Sequence, residues 1–456
     1  MALGNRKDQS QHSMWVSTQH LVQGSGHPFY QRLNEILKEH GFDRHAESKC
    51  AKFYAEKAGR PGIPPGVYFR MLMIGYFEGI DSERGMAWRC EDSLALRSFL
   101  GYGLDEATPD HSSLSRIRQR IDVETHTEIF TWVLKVLAKA KLLVGKTVGI
   151  DATTLEANAA MRSIVRKDTG ESYEEFLTQL AKESGIETPT REDLSKLDKK
   201  RKKKTSNKDW HNPNDPDAKI TKMKDGRTHL SNKSEHAVDL DSGAVLAVTV
   251  QGADLGDTTT IDETLTETLL NMEEVKEDPE AESNLSEEPV QTLVADKGYH
   301  SALVVTELVE AGVRTYIPEP DRGRRRWKGK KREQAAVYAN RRRVRGKRSK
   351  RIMRKRCELV ERSFEHIYDR GGMRRTHLRG HENILKRLLI HVSGFNLGLV
   401  MRKLLGYGTP RGLRGRLSAL LKSILGVLRD MVASLARNWI FSYRKIQFRD
   451  WITASA

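Results

Sequence analysis

Cysteine is scarce in this chain. Cys50, Cys90 and Cys357 are the only three among 456 residues, far apart and without paired spacing. That excludes a disulfide framework and a cysteine-built zinc site, and it points to a reducing compartment with the cysteines as packing residues. Long apolar runs are missing too. The strongest, Leu388 to Met401, lies between Arg387 and Arg402 and falls short of the roughly 20 residues that a bilayer span needs. No basic start followed by an apolar core and a small-residue cleavage site opens the chain, so no signal peptide and no membrane partner are expected, and a cytoplasmic setting is. A glycine-rich loop ending in Lys-Ser/Thr is absent, and no serine or cysteine nucleophile setting stands out. His229 and His236 flank one expected strand and are read as surface hydrogen-bonding residues in preference to metal ligands.

Net positive charge is nearly absent outside one stretch. From Arg322 to Arg356 stand 19 lysines and arginines against one acid, Glu333, a net of +18. The whole chain carries +17, which leaves about −1 for everything else. Charge concentrated this way predicts a surface patch or arm for a polyanion. Within it, Arg324, Arg325, Arg326 and Lys328 are candidate phosphate contacts. Trp327 among them would either stack on an unpaired base or pack on the surface.

Three acids stand where metal chemistry would need them. Asp151 closes the apolar run Val148-Gly149-Ile150, and Asp296 closes Leu293-Val294-Ala295. Glu361 lies in the helix-like stretch Leu359-Val360-Glu361-Arg362-Ser363-Phe364. Two strand-end aspartates share one sheet edge, and a longer glutamate reaches in from a helix. Hard divalent ions take such oxygen ligands, and a metal pair about 3.5–4 Å apart cleaves phosphodiesters in line. Glu358 and Glu365 are close by, but at about 100° per residue Glu361 is the acid nearest the face of Val360, Phe364 and Ile367.

A length of 456 residues predicts two or three domains. Residues 1–28 form a polar flexible tail and 29–122 an all-helical domain for DNA binding or dimerisation. Within it, Thr108 is expected as N-cap of a helix burying Leu114, Ile117 and Ile121 and exposing Arg116, Arg118 and Arg120. That helix is either a helix-turn-helix-like DNA reader or a solvated basic face. A linking helix spans 123–144. Strands are expected at 146–151, 234–240, 244–251, 291–296 and 313–317, with helices at 261–272 and 302–310. Their order, closed by the Glu361 helix, predicts an α/β, ribonuclease-H-like mixed sheet flanked by helices over 145–405. Insertions interrupt it at 156–232 and 318–356, and residues 273–288 form a solvated acidic loop. A basic helical C-terminal extension covers 406–456, with a stripe from Leu413 to Leu435 suited to core or dimer packing.

These motifs together resemble bacterial insertion-sequence transposases of the Asp-Asp-Glu type. Gly59-Arg60-Pro61 through Gly79, Asp92 through Phe99 and Thr108-Pro109-Asp110-His111-Ser112 through Arg120 look like their helical N-terminal domain. Val148 through Thr153 resembles the first catalytic strand, and Asp215-Pro216-Asp217-Ala218 with Lys233 to Asp239 the middle of the catalytic domain. Asp296-Lys297-Gly298-Tyr299 resembles the second catalytic motif. Val360 to Phe364, with Arg370-Gly371-Gly372 and Arg379-Gly380, resembles the third. Related families often place Tyr, Arg and Lys at fixed offsets around the glutamate. Here those offsets hold Arg354, Cys357 and Tyr368, so Arg356, Arg362 and Arg370 are the expected substitutes for DNA contact. The resemblance implies Mg²⁺, with Mn²⁺ as a substitute, acting through Asp151, Asp296 and Glu361. It implies cleavage at terminal inverted repeats of double-stranded DNA and joining to target DNA, in a homodimer or larger synapse associated with the bacterial nucleoid. An inert DNA-binding regulator and a nuclease without strand transfer are the competing readings.

Overall fold

The computed structural model describes residues 26–55, 62–201, 205–223, 226–321, 323 and 325–412. Most of the expected N-terminal tail, Gly59-Arg60-Pro61, Lys202 to Lys204, Arg322, Arg324 and the Leu413–Leu435 stripe lie outside the described residues.

Among the described residues seven α-helices come first: α1 Pro28–Glu39, α2 Phe42–Cys50, α3 Pro65–Glu78, α4 Glu83–Asp92, α5 Leu94–Leu100, α6 His111–Arg120 and α7 Val123–Lys139. Local chemistry fixes their ends. Proline begins α3, and Gly79 ends it in the left-handed region at φ 68°. Ser82 and Ser93 cap α4 and α5. Asp110, not Thr108, caps α6, because its carboxylate accepts from the amide of Ser113 at 2.8 Å. A second correction concerns Arg118. It is buried against Glu83 at 3.2 Å, while Arg116 and Arg120 are exposed. Ser115, three positions earlier and so on the same face, bonds the same Glu83 through its hydroxyl, so this flank of α6 faces α4.

The α/β part begins with β1 Thr147–Glu156 and β2 Val165–Arg166, then α8 Tyr173–Glu183 and α9 Arg191–Lys200. Strands β3 Trp210–His211, β4 Lys219–Lys222, β5 Thr228–Asp239 and β6 Val245–Gly252 follow. Then come α10 Asp257–Lys276, α11 Pro279–Glu282, β7 Thr292–Val294, α12 Ala302–Glu310 and β8 Arg314–Tyr316. Helices α13 Lys331–Arg345, α14 Lys347–Phe364 and α15 His381–Leu405 end the described chain. The main sheet runs β4-β5-β1-β7-β8, with β6 on the free stretch of β5. β1 is antiparallel to β5 and parallel to β7, and β7 is parallel to β8. This is the expected mixed sheet between helices.

Three segments depart from expectation. β1 does not end at Asp151 but runs on to Glu156, because β5 keeps pairing with it as far as Ser231. The 318–356 segment is no featureless arm. It forms α13 and most of α14, the helix that bears Glu361. The acidic 273–288 stretch is docked on α7, where Lys139 meets Asp278 at 2.8 Å and Glu280 at 3.3 Å.

One apolar cluster extends from Phe29 in α1 to Met401 in α15, without a break between the helical and the α/β parts. A smaller one, Ala157, Ile164, Trp210, Ala218 and Leu230, supports the 156–232 insertion. Helix α15 lies on α7, α3 and β6. It is long and apolar enough to cross a membrane, yet 89% of its most apolar window is buried inside the protein.

Candidate active site

Gly149 sets up the first acid. A Cβ there would stand 2.7 Å from Leu240 Cδ2 and 3.1 Å from Arg356 Cγ, so glycine lets α14 lie close on β1. Arg356, only 6% exposed, then reaches Asp151, with Nη2 at 2.7 Å from Oδ2. Its Nε and Nη2 also donate to Ile150 O, both at 3.2 Å. Burial pushes the Asp151 carboxyl above its ordinary range. Arg356 and the Ala152 amide oppose that rise, and the charges of Asp296 and Asp257 add to it. β7 pairs with β1 only as far as Gly149, so the side chain of Asp151 lies beyond the last β1–β7 pair.

Asp296 lies two residues past β7. It caps the tight 3-10 turn Lys297–Tyr299, accepting from the Gly298 amide at 2.7 Å. Sequence reading missed Asp257, the first residue of α10. Its Oδ2 and Asp296 Oδ1 are the two nearest groups to where a side chain on Gly298 would project. Its signal was an acid opening the helix that follows the hairpin β5–β6.

Glu361 lines one cleft with Asp151, Thr153, Glu358, Glu365, Asp369 and Arg374. Three glutamates of α14 and its continuation are thus available, but two are held by cations. Glu358 bonds Arg362 at 2.6 Å and Glu365 bonds Arg370 at 2.7 Å. Glu361 makes no ion pair among the described residues and is exposed. Arg362 and Arg370, expected at DNA, carry these intramolecular pairs.

A buried lock seats this part of α14 on the sheet. His236, paired with Asp151 across β1 and β5, is fully buried and not a surface histidine. Its ring nitrogens meet Ser363 Oγ at 2.9 Å and Tyr368 Oη at 2.6 Å, leaving neither for a metal. Burial lowers its pKa to about 3, so it is neutral. Tyr368 belongs to a π-helical turn, Glu365–Arg370, and also donates to Ser234 Oγ at 2.7 Å. Val360, Phe364 and Ile367 are buried beside it, as the helical spacing predicts.

Two further motifs clasp each other. Asp215 accepts from the Gly380 amide at 3.2 Å and Asp217 from the His381 amide at 3.1 Å, so the Asp215–Ala218 motif caps α15. In the basic segment, Arg326 and Lys328 are exposed. Arg325 pairs with Glu319 at 3.3 Å, and Trp327 packs edge-on against Tyr338 at 6.1 Å.

No three His, Cys, Asp or Glu side chains among the described residues converge closely enough to form a ready-made metal centre. The donor set nevertheless suits a hard cation. Asp151, Asp296 and Glu361 offer carboxylate oxygens, which suit Mg²⁺ and Mn²⁺, while Asp257 is paired with Lys233 at 2.7 Å.

Residues 16–120 match the family model described as Transposase domain (DUF772). Residues 182–397 match the one described as Transposase DDE domain. Asp296 and Glu361 fall inside the second match, and Asp151 lies between the two. No curated protein and no solved structure matches the chain.

Proposed function

The chain belongs to the transposases of the Asp-Asp-Glu type, enzymes that act on DNA, and from that premise we propose that it cuts DNA at the ends of an insertion sequence and joins them to target DNA. Asp151, Asp296 and Glu361 would hold the metal ions, Mg²⁺ in the cell with Mn²⁺ as a substitute. When bound, a metal pair activates the attacking hydroxyl and relieves charge on the leaving oxygen.

The observation that carries this reading is the state of the acids around one cleft. Glu361 is exposed and makes no ion pair among the described residues, while its neighbours on the helix are held by arginines. Asp151 lines the same cleft, oriented by Arg356 and subject to the charge of Asp296. An acid kept free in so basic a helix serves a ligand better than it serves stability. Arg356 acts as a positioning residue: its bonds to Ile150 O and Asp151 hold one carboxylate oxygen in place. Arg326 and Lys328, exposed before α13, would take DNA phosphates, and Arg116 and Arg120 the terminal repeats.

We assign residues 29–122 to DNA binding or dimerisation, 145–405 to catalysis, and action to a dimer or larger synapse on cytoplasmic DNA. Incubation with DNA ends taken from the gene's flanks and Mg²⁺, followed by strand mapping, tests the proposal. Cuts at the boundary of short inverted repeats, with joined products, are expected. Nicking without joining would favour a nuclease, and binding without any cut would favour a regulator.

A further inference from the structure

Glu235 has no place in the chemistry above, yet it is fully buried on the sheet face covered by α10. Burying a carboxylate is costly unless hydrogen bonds and charge compensate for it. Here they come from three elements. Thr264 Oγ1 donates to Oε2 at 2.5 Å, and Thr260 Oγ1 and Tyr299 Oη donate to Oε1 at 3.0 and 2.6 Å. Lys233, also buried, stands 3.7 Å from Oε1. Two of the donors belong to α10, but Tyr299 belongs to the turn that Asp296 caps, three residues from the acid itself.

The same network grips that turn a second time. Lys233 Nζ donates to Asp257 Oδ1 at 2.7 Å and to Thr260 Oγ1 at 2.8 Å. Asp257 Oδ2 then lies against Gly298, where any side chain would collide with it. Gly298 in turn donates its amide to Asp296. Lys297–Tyr299 is therefore tied at its end to Glu235 and packed at its middle against Asp257, while the residue that caps it offers the second acid. Strand β7 is only three residues long and ends two residues before Asp296, so strand pairing does little to fix this acid.

From this we infer that Glu235, through the Tyr299 hydroxyl, and Asp257, through Gly298, are positioning residues that set where Asp296 stands in the metal-binding set. The inference rests on the reading of Asp296 as a metal-binding acid. Outer partners of metal-binding groups typically change affinity or activity by about 10–100-fold when removed.

Mn²⁺ binding to the full-length protein, followed by electron paramagnetic resonance, separates the two claims. The set comprises wild type, Asp296→Ala, Tyr299→Phe, Glu235→Gln and Glu235→Leu, all measured well below their melting temperatures. Tyr299→Phe removes one hydroxyl and should weaken Mn²⁺ binding by about 10-fold or more, lowering kcat with KM for DNA unchanged. Glu235→Leu should do the same, and Glu235→Gln, which keeps an acceptor for Tyr299, should recover much of the loss. A purely structural role would instead lower the melting temperature and leave Mn²⁺ affinity intact. If Glu235→Leu does not fold, Tyr299→Phe decides alone. Wild-type Mn²⁺ affinity in Tyr299→Phe, with Asp296→Ala impaired, overturns this inference and leaves the metal reading standing. Equal binding by wild type and Asp296→Ala, or none by wild type, overturns both.

Discussion

The guanidinium of Arg356 is held between the carbonyl of Ile150 and the carboxylate of Asp151, with its Nη2 2.7 Å from Oδ2. The motif offsets point Arg356 at DNA, and its side chain instead faces the first acid. Arg356→Ala should therefore lower strand cutting by at least about 10-fold while the salt dependence of DNA binding stays the same. A drop of about 0.9 in the log–log salt slope, with cutting retained, would make Arg356 a phosphate-binding residue after all.

Asp151→Ala, Asp296→Ala and Glu361→Ala should each abolish cleavage and leave DNA binding largely intact. Glu358→Ala and Glu365→Ala are the controls, since each removes an acid already paired to an arginine. Cleavage assays with gel-shift titrations check this. Full activity in Glu361→Ala, with loss in either control, would reassign the third acid.

Cutting should require Mg²⁺ or Mn²⁺ and stop in excess chelator. Ca²⁺, larger and more loosely coordinated, should support DNA binding better than chemistry. A metal titration with quantified products gives the answer, and robust cutting in chelator contradicts the proposal.

DNA binding should divide between two surfaces. Neutralising the exposed Arg326 and Lys328 should weaken binding to all sequences and flatten the log–log salt dependence by about 0.9 for each phosphate left unneutralised. Substituting Arg116 and Arg120 should narrow the gap between terminal-repeat and random DNA. Arg118 belongs with neither group, because its pairing with Glu83 is internal. Titrations on both DNAs at several salt concentrations distinguish these effects, and unchanged discrimination in the Arg116/Arg120 variant would place the reader elsewhere.

Buried histidines give a pH signature. Desolvation lowers His126 to about 4 and His236 to about 3, against an ordinary value of about 6.5. Between those limits the unfolded chain binds protons that the folded one does not, so stability rises with pH. Below about pH 6.5 each histidine should cost up to about 1.4 kcal/mol per pH unit. Melting temperatures from pH 7.5 to 4.5 should fall steadily below pH 6.5, and a flat profile would show that these rings do not stay neutral on folding.

The strands and acids that end apolar runs were legible because β-strand burial leaves a visible mark on sequence. Asp151 and Asp296 were singled out that way, and the buried face of Val360, Phe364 and Ile367 by helical spacing. What escaped were polar residues whose burial depends on distant partners. Lys233-Ser234-Glu235-His236 reads as a wet strand, yet all four are buried because Thr260, Thr264, Tyr299 and Tyr368 supply bonds from elsewhere in the chain. Arg118 and Arg356 escaped for the same reason, since charge alone does not say whether a matching acid waits inside. The helicity of the basic segment was hidden by its poverty in apolar residues. Its few anchors, Ala336, Val337 and Ile352, suffice because the helices lie on a preformed sheet.

Gly394 of α15 lies so close to Tyr76 of α3 that a Cβ would come within 2.6 Å of the ring. The two family segments, 16–120 and 182–397, are thus intergrown and do not form a detachable pair. Deleting the N-terminal helices would strip α7 and α15 of their cover and leave an aggregating remnant, not a minimal catalyst. Through α15, which packs on both α3 and β6, the N-terminal helices and the sheet share one continuous layer, so a substitution that loosens one side should lower the stability of the other.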